Sequence, residues 1–260
     1  MGYFVQKNLL VVTRHQKERV LRPLFSEHLG CTVLEGIEPD TDSLGTFSGE
    51  VARSADMLTT ARKKAELGVI RSNADLILVT EGSFGPHPQI PFVAANTELI
   101  FLYEPATERN WYEVFHSTET NFASTEVSNW AGLQEFVQQA AFPEHGIILR
   151  PAVNNFDLML KGICCIDELK GHAQKLFDKY GRLWAETDMR AYMNPMRMKV
   201  IEKAAKQLIQ RLKSNCEACG LPGFGLKAWV RGLPCAWCQR PTSLALAEIH
   251  ACDFCEKEQR

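Results

Sequence analysis

An α/β body, built as a layered mixed sheet flanked by helices and followed by a small cysteine-rich domain, is the fold class this sequence predicts. Three observations predict it. Short apolar runs of strand length alternate with segments of helical periodicity over about the first 190 residues. The chain has 260 residues, 45% of them hydrophobic, enough for a sizeable core. Six of its nine cysteines fall in the last 45 residues, in three CxxC pairs. The expected division is a body over residues 1–194, a connecting helix over 195–214 and a cysteine-rich tail over 215–260.

Residues 9–12 (LLVV) read as a strand, and Thr13-Arg14-His15-Gln16 turns into a helix with Val20, Leu21, Leu24 and Phe25 on one stripe. Gly30 ends that helix and residues 31–34 form the next strand. The turn lies at a helix N-terminus, where backbone N–H groups and the dipole favour an anion, and Arg14 and Lys17 add positive charge. The rest is read around residues 40–88, where acids, hydroxyls, glycines and a basic helix face converge. Asp56 or Ser54 caps a helix carrying Leu58, Ala61 and Ala65, with Arg62, Lys63 and Lys64 around it and Gly68 as terminator. Residues 76–79 form a central strand that breaks off at Glu81-Gly82-Ser83-Phe84-Gly85, placing Glu81 where open α/β sheets bind ligands. Residues 97–103 and 111–117 pair across the PATERN turn.

Ser128 or Asn129 opens a helix with Trp130, Leu133, Phe136 and Val137 inward; residues 146–149 and 183–187 are strands. Between those strands Asp167 caps a helix bearing Leu169, Leu176, Phe177 and Tyr180. The cluster Glu186, Asp188, Arg190, Arg197 lines a site or forms a salt-bridged corner. Asn194-Pro195 is a strong helix start, followed by Ile201, Ala204, Ala205, Leu208, Ile209 and Leu212 on one face.

In the tail, Cys216-x-x-Cys219, Cys235-x-x-Cys238 and Cys252-x-x-Cys255 lie among prolines and glycines suited to tight turns. Two such knuckles present four thiolates to a structural Zn²⁺, as in a zinc ribbon. The remaining two cysteines either join His250 in a second, incomplete site, or share a bridged two-metal cluster, or stay reduced. Cys31, Cys164 and Cys165 read as ordinary buried residues.

The formal net charge is −2, and from residue 196 onward eleven Lys/Arg stand against six Asp/Glu. That leaves a mildly basic tail, open to nucleic acid, on an acidic body. No apolar run approaches the roughly 18 residues of a membrane span, and the N-terminus lacks the pattern of a signal peptide, so a cytoplasmic protein is expected.

Two resemblances follow. The whole chain resembles a family of bacterial proteins of unknown function with the pattern GTFxGE, EGSFGPHP, TDMRAxxNPxR and three CxxC pairs, here residues 45–50, 81–88, 187–197 and the six cysteines. About the first 85 residues are similar to the inosine/xanthosine triphosphatases, which hydrolyse non-canonical purine nucleoside triphosphates with Mg²⁺ or Mn²⁺. Their STNPxK is met by residues 12–17, their EETxxGAxxRA by Asp56, Leu58, Ala61, Arg62, Lys64 and Ala65, and their ADxxxGxEGG by Ala74-Asp75 and Glu81-Gly82-Ser83. Arg14 replaces their Asn, Asp56 their first Glu and Val79 their Gly. The resemblance implies Thr13, Arg14 and Lys17 on phosphate, and Glu81 and Asp56 as metal-binding or water-activating carboxylates. The expected function is therefore a divalent-metal-dependent hydrolase of a nucleotide or other phosphorylated small molecule. The competing expectation is a non-enzymatic zinc-ribbon protein that binds nucleic acid or a protein partner.

Overall fold

The computed structural model describes residues 2–13, 16–34 and 56–260. Arg14, Ser54 and the GTFxGE segment lie outside the described residues. Secondary structure is mixed α/β, and among the described residues the strands form three sheets rather than one mixed body sheet and a ribbon.

The first sheet has the order β2 (Thr32–Val33), β1 (Asn8–Val12), β3 (Leu76–Pro86), β4 (Ala94–Glu104), β5 (Arg109–Ser117). β1 runs parallel to β2 and β3, because helices α1 (Glu18–Leu29) and α2 (Met57–Arg71) make the crossovers; β3, β4 and β5 are antiparallel. Period-two alternation divides the buried strand residues between two layers. Leu9, Val11, Leu76, Leu78, Ile100 and Leu102 meet α1 and a later helix, α5 (Pro195–Leu212). Leu10, Val12, Ile77, Val79, Leu99 and Phe101 meet Ala61 and Ala65 of α2.

Two local expectations are corrected here. Gly68 does not end α2, which continues to Arg71; a Cβ at Gly68 would lie 2.7 Å from Val12 Cγ2 and 2.9 Å from Ile77 Cγ2, so the glycine lets helix and sheet approach. The strand expected to stop at Val79 continues to Pro86, since Glu81 to Pro86 stay paired with Leu99 to Ala94. Pairing with β1 stops at Val12↔Val79, so the β1-side edge of β3 is free of β1 from Thr80 onward.

The second sheet is antiparallel throughout, in the order β6 (Ser124–Val127), β9 (Leu183–Thr187), β7 (Ile147–Arg150), β8 (Leu160–Ile163). One face carries α3 (Trp130–Gln139) and α4 (Ile166–Tyr180) over a core that includes Leu133, Ile147, Leu149, Leu169, Leu183 and Ala185. Asn129 caps α3 by accepting from Gly132 N–H. Cys165, not Asp167, is the N-cap of α4; Asp167 stands in the first turn, where its charge complements the dipole. Cys31 is buried, but Cys164 and Cys165 are exposed at that helix start, contrary to the expected core role.

α5 returns the chain to the first sheet. Asn194 accepts the Arg197 N–H at 2.9 Å, Pro195 takes the first position, and Val200, Ile201, Ala204, Ala205, Leu208, Ile209 and Leu212 are buried. The cysteine-rich tail then forms β10 (Gly225–Arg231), β11 (Ala245–Ala251) and β12 (Glu258–Gln259). Its base rests on β5: Trp111 Nε1 donates to Pro222 O at 2.8 Å, and Phe254 packs edge-on against the Trp111 ring. Among the described residues no helix is long and apolar enough to cross a membrane.

Candidate metal centre and buried charge cluster

Four of the six tail cysteines converge at the base of the ribbon. One ligand atom each from Cys216, Cys219, Cys252 and Cys255 lies within 4.8 Å of all the others. Cys216 Sγ is 3.6 Å from Cys255 Sγ, and Cys219 Sγ is 3.6 Å from Cys252 Sγ. A tetrahedral zinc with bonds of roughly 2.3 Å needs sulfur–sulfur edges of about 3.8 Å, so the donor set fits. The backbone N–H groups of Cys219 and Ala218 draw the Cys216 thiol down to about 7, whereas burial raises the Cys252 thiol and the neighbouring sulfurs push the Cys255 thiol up to about 12. The centre thus joins the first and third CxxC pairs, which linear spacing left open. Cys235 and Cys238 stand apart, at the opposite end of the β10–β11 hairpin. His250 does not join them: it pairs with Leu226 near the ribbon base and its Nε2 contacts Glu248 at 2.8 Å.

The second feature is a cluster of ionic side chains around β3 just beyond the end of β1. Thr80, Gly82 and Phe84 face the α1/α5 layer, while Glu81 faces the α2 layer. On the first face Lys17, only 4% exposed, donates from Nζ to Thr80 Oγ1 at 2.8 Å. Beside it Arg197 Nε donates to Glu98 Oε1 at 2.8 Å, and its Nη1 donates to the Met189 carbonyl. Both members of that pair are completely buried. The guanidinium lies over the Phe84 ring at 5.1 Å. Gly82 is required below it, since a Cβ there would run into Arg197 Nη2 and sit 2.8 Å from both Glu98 oxygens. On the opposite face Lys64 Nζ lies 2.5 Å from Glu81 Oε1, with the carboxylate 4% exposed.

These groups meet at the edge that β1 leaves free. Burial lowers the Lys17 pKa to about 7; Arg197 and Lys64 push it the same way, and Glu98 and Glu81 oppose them. A lysine of that pKa exchanges its proton near neutrality. Asn96, next to Glu98 on the same face of β4, is fully buried, and neither amide atom has a hydrogen-bond partner among the described residues.

The expected site residues are therefore distributed as follows. Lys17 and Glu81 come to one strand edge but from opposite faces of β3, rather than lining one cleft on one face. Thr13 directly follows β1. Asp56 is at the exposed N-terminus of α2, where Oδ1 accepts the Leu58 and Thr59 N–H groups and Oδ2 the Thr59 hydroxyl. The Thr59 bonds, first its N–H and then its hydroxyl, hold the Asp56 carboxyl below its ordinary range, as expected of a cap. Arg197 and Glu98 were not singled out together: they are 99 positions apart, and only the fold shows that the TDMRAxxNPxR arginine closes over the EGSFGPHP glycine.

The other cluster members have local roles. Asp188, fully buried, accepts from Arg190 Nε and Nη2 and from Gly162 N–H. Glu186 accepts from Arg150 Nη2 at 2.7 Å, and burial raises its pKa.

A search of curated proteins finds no match to the chain. Residues 64–260 match the family described as a domain of unknown function, DUF6671. That range holds Lys64, Glu81, Glu98, Arg197 and all six tail cysteines, and it begins after Lys17 and Asp56. With three-quarters of its length inside that match, the chain belongs to the DUF6671 family.

Proposed function

We propose that the body binds and hydrolyses a phosphorylated small molecule, a nucleotide first among them, at the free edge of β3. The observation that carries this reading is Lys17: a buried ammonium tuned to about 7, set between two carboxylates and two further cations where parallel strands end. Burying four ionic groups, with Lys64 half-buried beside them, gains little for stability alone, because desolvation offsets their attraction. Their value lies in presenting fixed charge to a polar ligand. In this reading Lys17 neutralises phosphate or passes a proton, and Glu98 keeps Arg197 rigid. Glu81, exchanging its contact with Lys64, orients water.

Among the described residues no three Asp or Glu carboxylates converge. A Mg²⁺ or Mn²⁺ ion would therefore arrive with the substrate phosphates, Glu81 being the carboxylate in reach, and would supply charge neutralisation. The base zinc, with four thiolates and no open position, is structural in this scheme. The test is phosphate release by purified protein over a panel of nucleoside tri-, di- and monophosphates and sugar phosphates, with Mg²⁺ and with Mn²⁺. Turnover of at least one class is expected, and none across the panel would contradict the reading.

A second reading has its own observation. β10 exposes Lys227, Trp229 and Arg231, a basic and aromatic strand of the kind on which single-stranded nucleic acid stacks. Against it, residues 215–260 hold five Lys/Arg and five Asp/Glu, so the basic excess noted from residue 196 belongs to α5 and not to the ribbon. Nucleic-acid binding with a steep salt dependence, lost on Trp229→Ala, would favour this alternative.

A further inference from the structure

The second CxxC pair, left out of the base centre, has the backbone of a finished metal knuckle. In the first knuckle Cys216 N–H donates to Leu221 O and Gly220 N–H to Cys216 O, both at 2.8 Å; at the tip Cys235 N–H donates to Arg240 O and Gln239 N–H to Cys235 O, both at 2.9 Å. Equivalent bridges close the two turns, Asn215↔Pro222 and Pro234↔Pro241. Each passes through a left-handed residue, Gly220 at φ 72° and Gln239 at φ 59°. The tip holds this conformation at a glutamine, without the glycine that most readily adopts it.

Two thiolates make half of a tetrahedral zinc site. Among the described residues no third His, Cys, Asp or Glu joins them. His250 lies toward the base, some five residues or about 16 Å along the hairpin. The tip is also unusually apolar for a surface turn. Trp237, between the two cysteines, is 95% exposed, and Leu233 and Leu244 beside it are 40% and 60% exposed.

We propose that the tip knuckle binds zinc between two copies of this chain, Cys235 and Cys238 of each copy completing one four-thiolate site. A two-fold axis through the ion supplies two further thiolates in the same geometry and makes the patch self-complementary, so Trp237, Leu233 and Leu244 cover their counterparts. Assembly consumes Zn²⁺, releases thiol protons and needs no oxidant. It is independent of any activity at the β3 edge.

The test is zinc content and solution mass of the full chain, purified in reductant without chelator. Wild type should carry about 1.5 zinc per chain, one at the base and half of a shared ion, and should run at twice the 29.3 kDa chain mass. Cys235→Ser with Cys238→Ser should give a single copy with about one zinc per chain. Mild chelation of wild type should release the shared half-equivalent first and dissociate the pair while the ribbon stays folded, because Cys238 is exposed whereas Cys216 and Cys252 are buried. A monomeric wild type, with one zinc or with two, would overturn the proposal. So would a pair that survives both substitutions.

Discussion

At the scale of single residues, stability hinges on ionic groups that have no access to water. Lys17 is the clearest case. Its folded pKa of about 7 lies below the ordinary value of 10.5, so the unfolded chain binds the extra proton between those limits. Stability therefore rises with pH from about 7 towards 10 through this group, and below pH 7 the full cost of burying the ammonium applies. Lys17→Met should remove that rise, an effect on the order of a few kcal/mol visible in denaturant melts at pH 7 and pH 9.5. A pH dependence identical to wild type would place the lysine outside the interior. Gly82→Ala should cost roughly 1–3 kcal/mol, because the methyl group displaces the Arg197–Glu98 pair instead of filling space. Arg197→Met should cost about 3–5 kcal/mol by leaving Glu98 buried and unpaired. If thermal melts showed either variant unchanged, the pair would be accessible to water.

At the scale of elements, α5 joins the first sheet, the second sheet and the ribbon. Its N-cap Asn194 bonds Asn121 beside β6, its Ile201–Leu208 face covers the first sheet, and Arg211 holds Gly223 O and Asp253 of the ribbon. Leu208→Asp should destabilise the chain by several kcal/mol, measured as a lowered unfolding midpoint, since the charge would enter a fully buried position. Removing the base zinc, or replacing Cys216 and Cys219 with Ser, should unfold the ribbon and leave both larger sheets intact, because the ribbon has little core of its own. Proteolysis confined to residues beyond about 215 would show it, whereas global unfolding would make the zinc part of the main core.

The elements that could be read from sequence were those with one dominant signal. α5 had Asn-Pro and an unbroken apolar stripe; β1 and the β4–β5 pair had apolar runs of strand length. The continuation of β3 through Glu81-Gly82-Ser83 was hidden, because its faces meet Lys64 and Arg197 rather than apolar side chains, so a buried strand looked like a polar loop. β6 and β8 were hidden for a related reason, being short, half-exposed and stabilised by neighbouring strands. Spacing announced the cysteines as ligands but could not say which pairs meet. That depends on the hairpin carrying the middle pair away from the other two.

At the scale of the whole molecule, the two body sheets are joined where residues 187–197 cross from β9 to α5, and this crossing brings Arg197 to β3. Glu98, Glu81, Lys64 and Lys17 assemble there around one strand edge, while the ribbon holds its four zinc-compatible cysteines at the far side of Trp111. In the proposed scheme the buried charge cluster would carry the chemistry and the cysteine centre would hold the ribbon together. The most direct measurement is phosphate release by wild type and by Glu81→Gln on the same nucleotide panel, each with Mg²⁺ and Mn²⁺ and each checked by thermal melting. Expected is metal-dependent release by wild type that falls to background in Glu81→Gln, with the variant still folded at the assay temperature. Release by a folded Glu81→Gln protein at the wild-type rate would contradict the assignment of the β3 edge as the site.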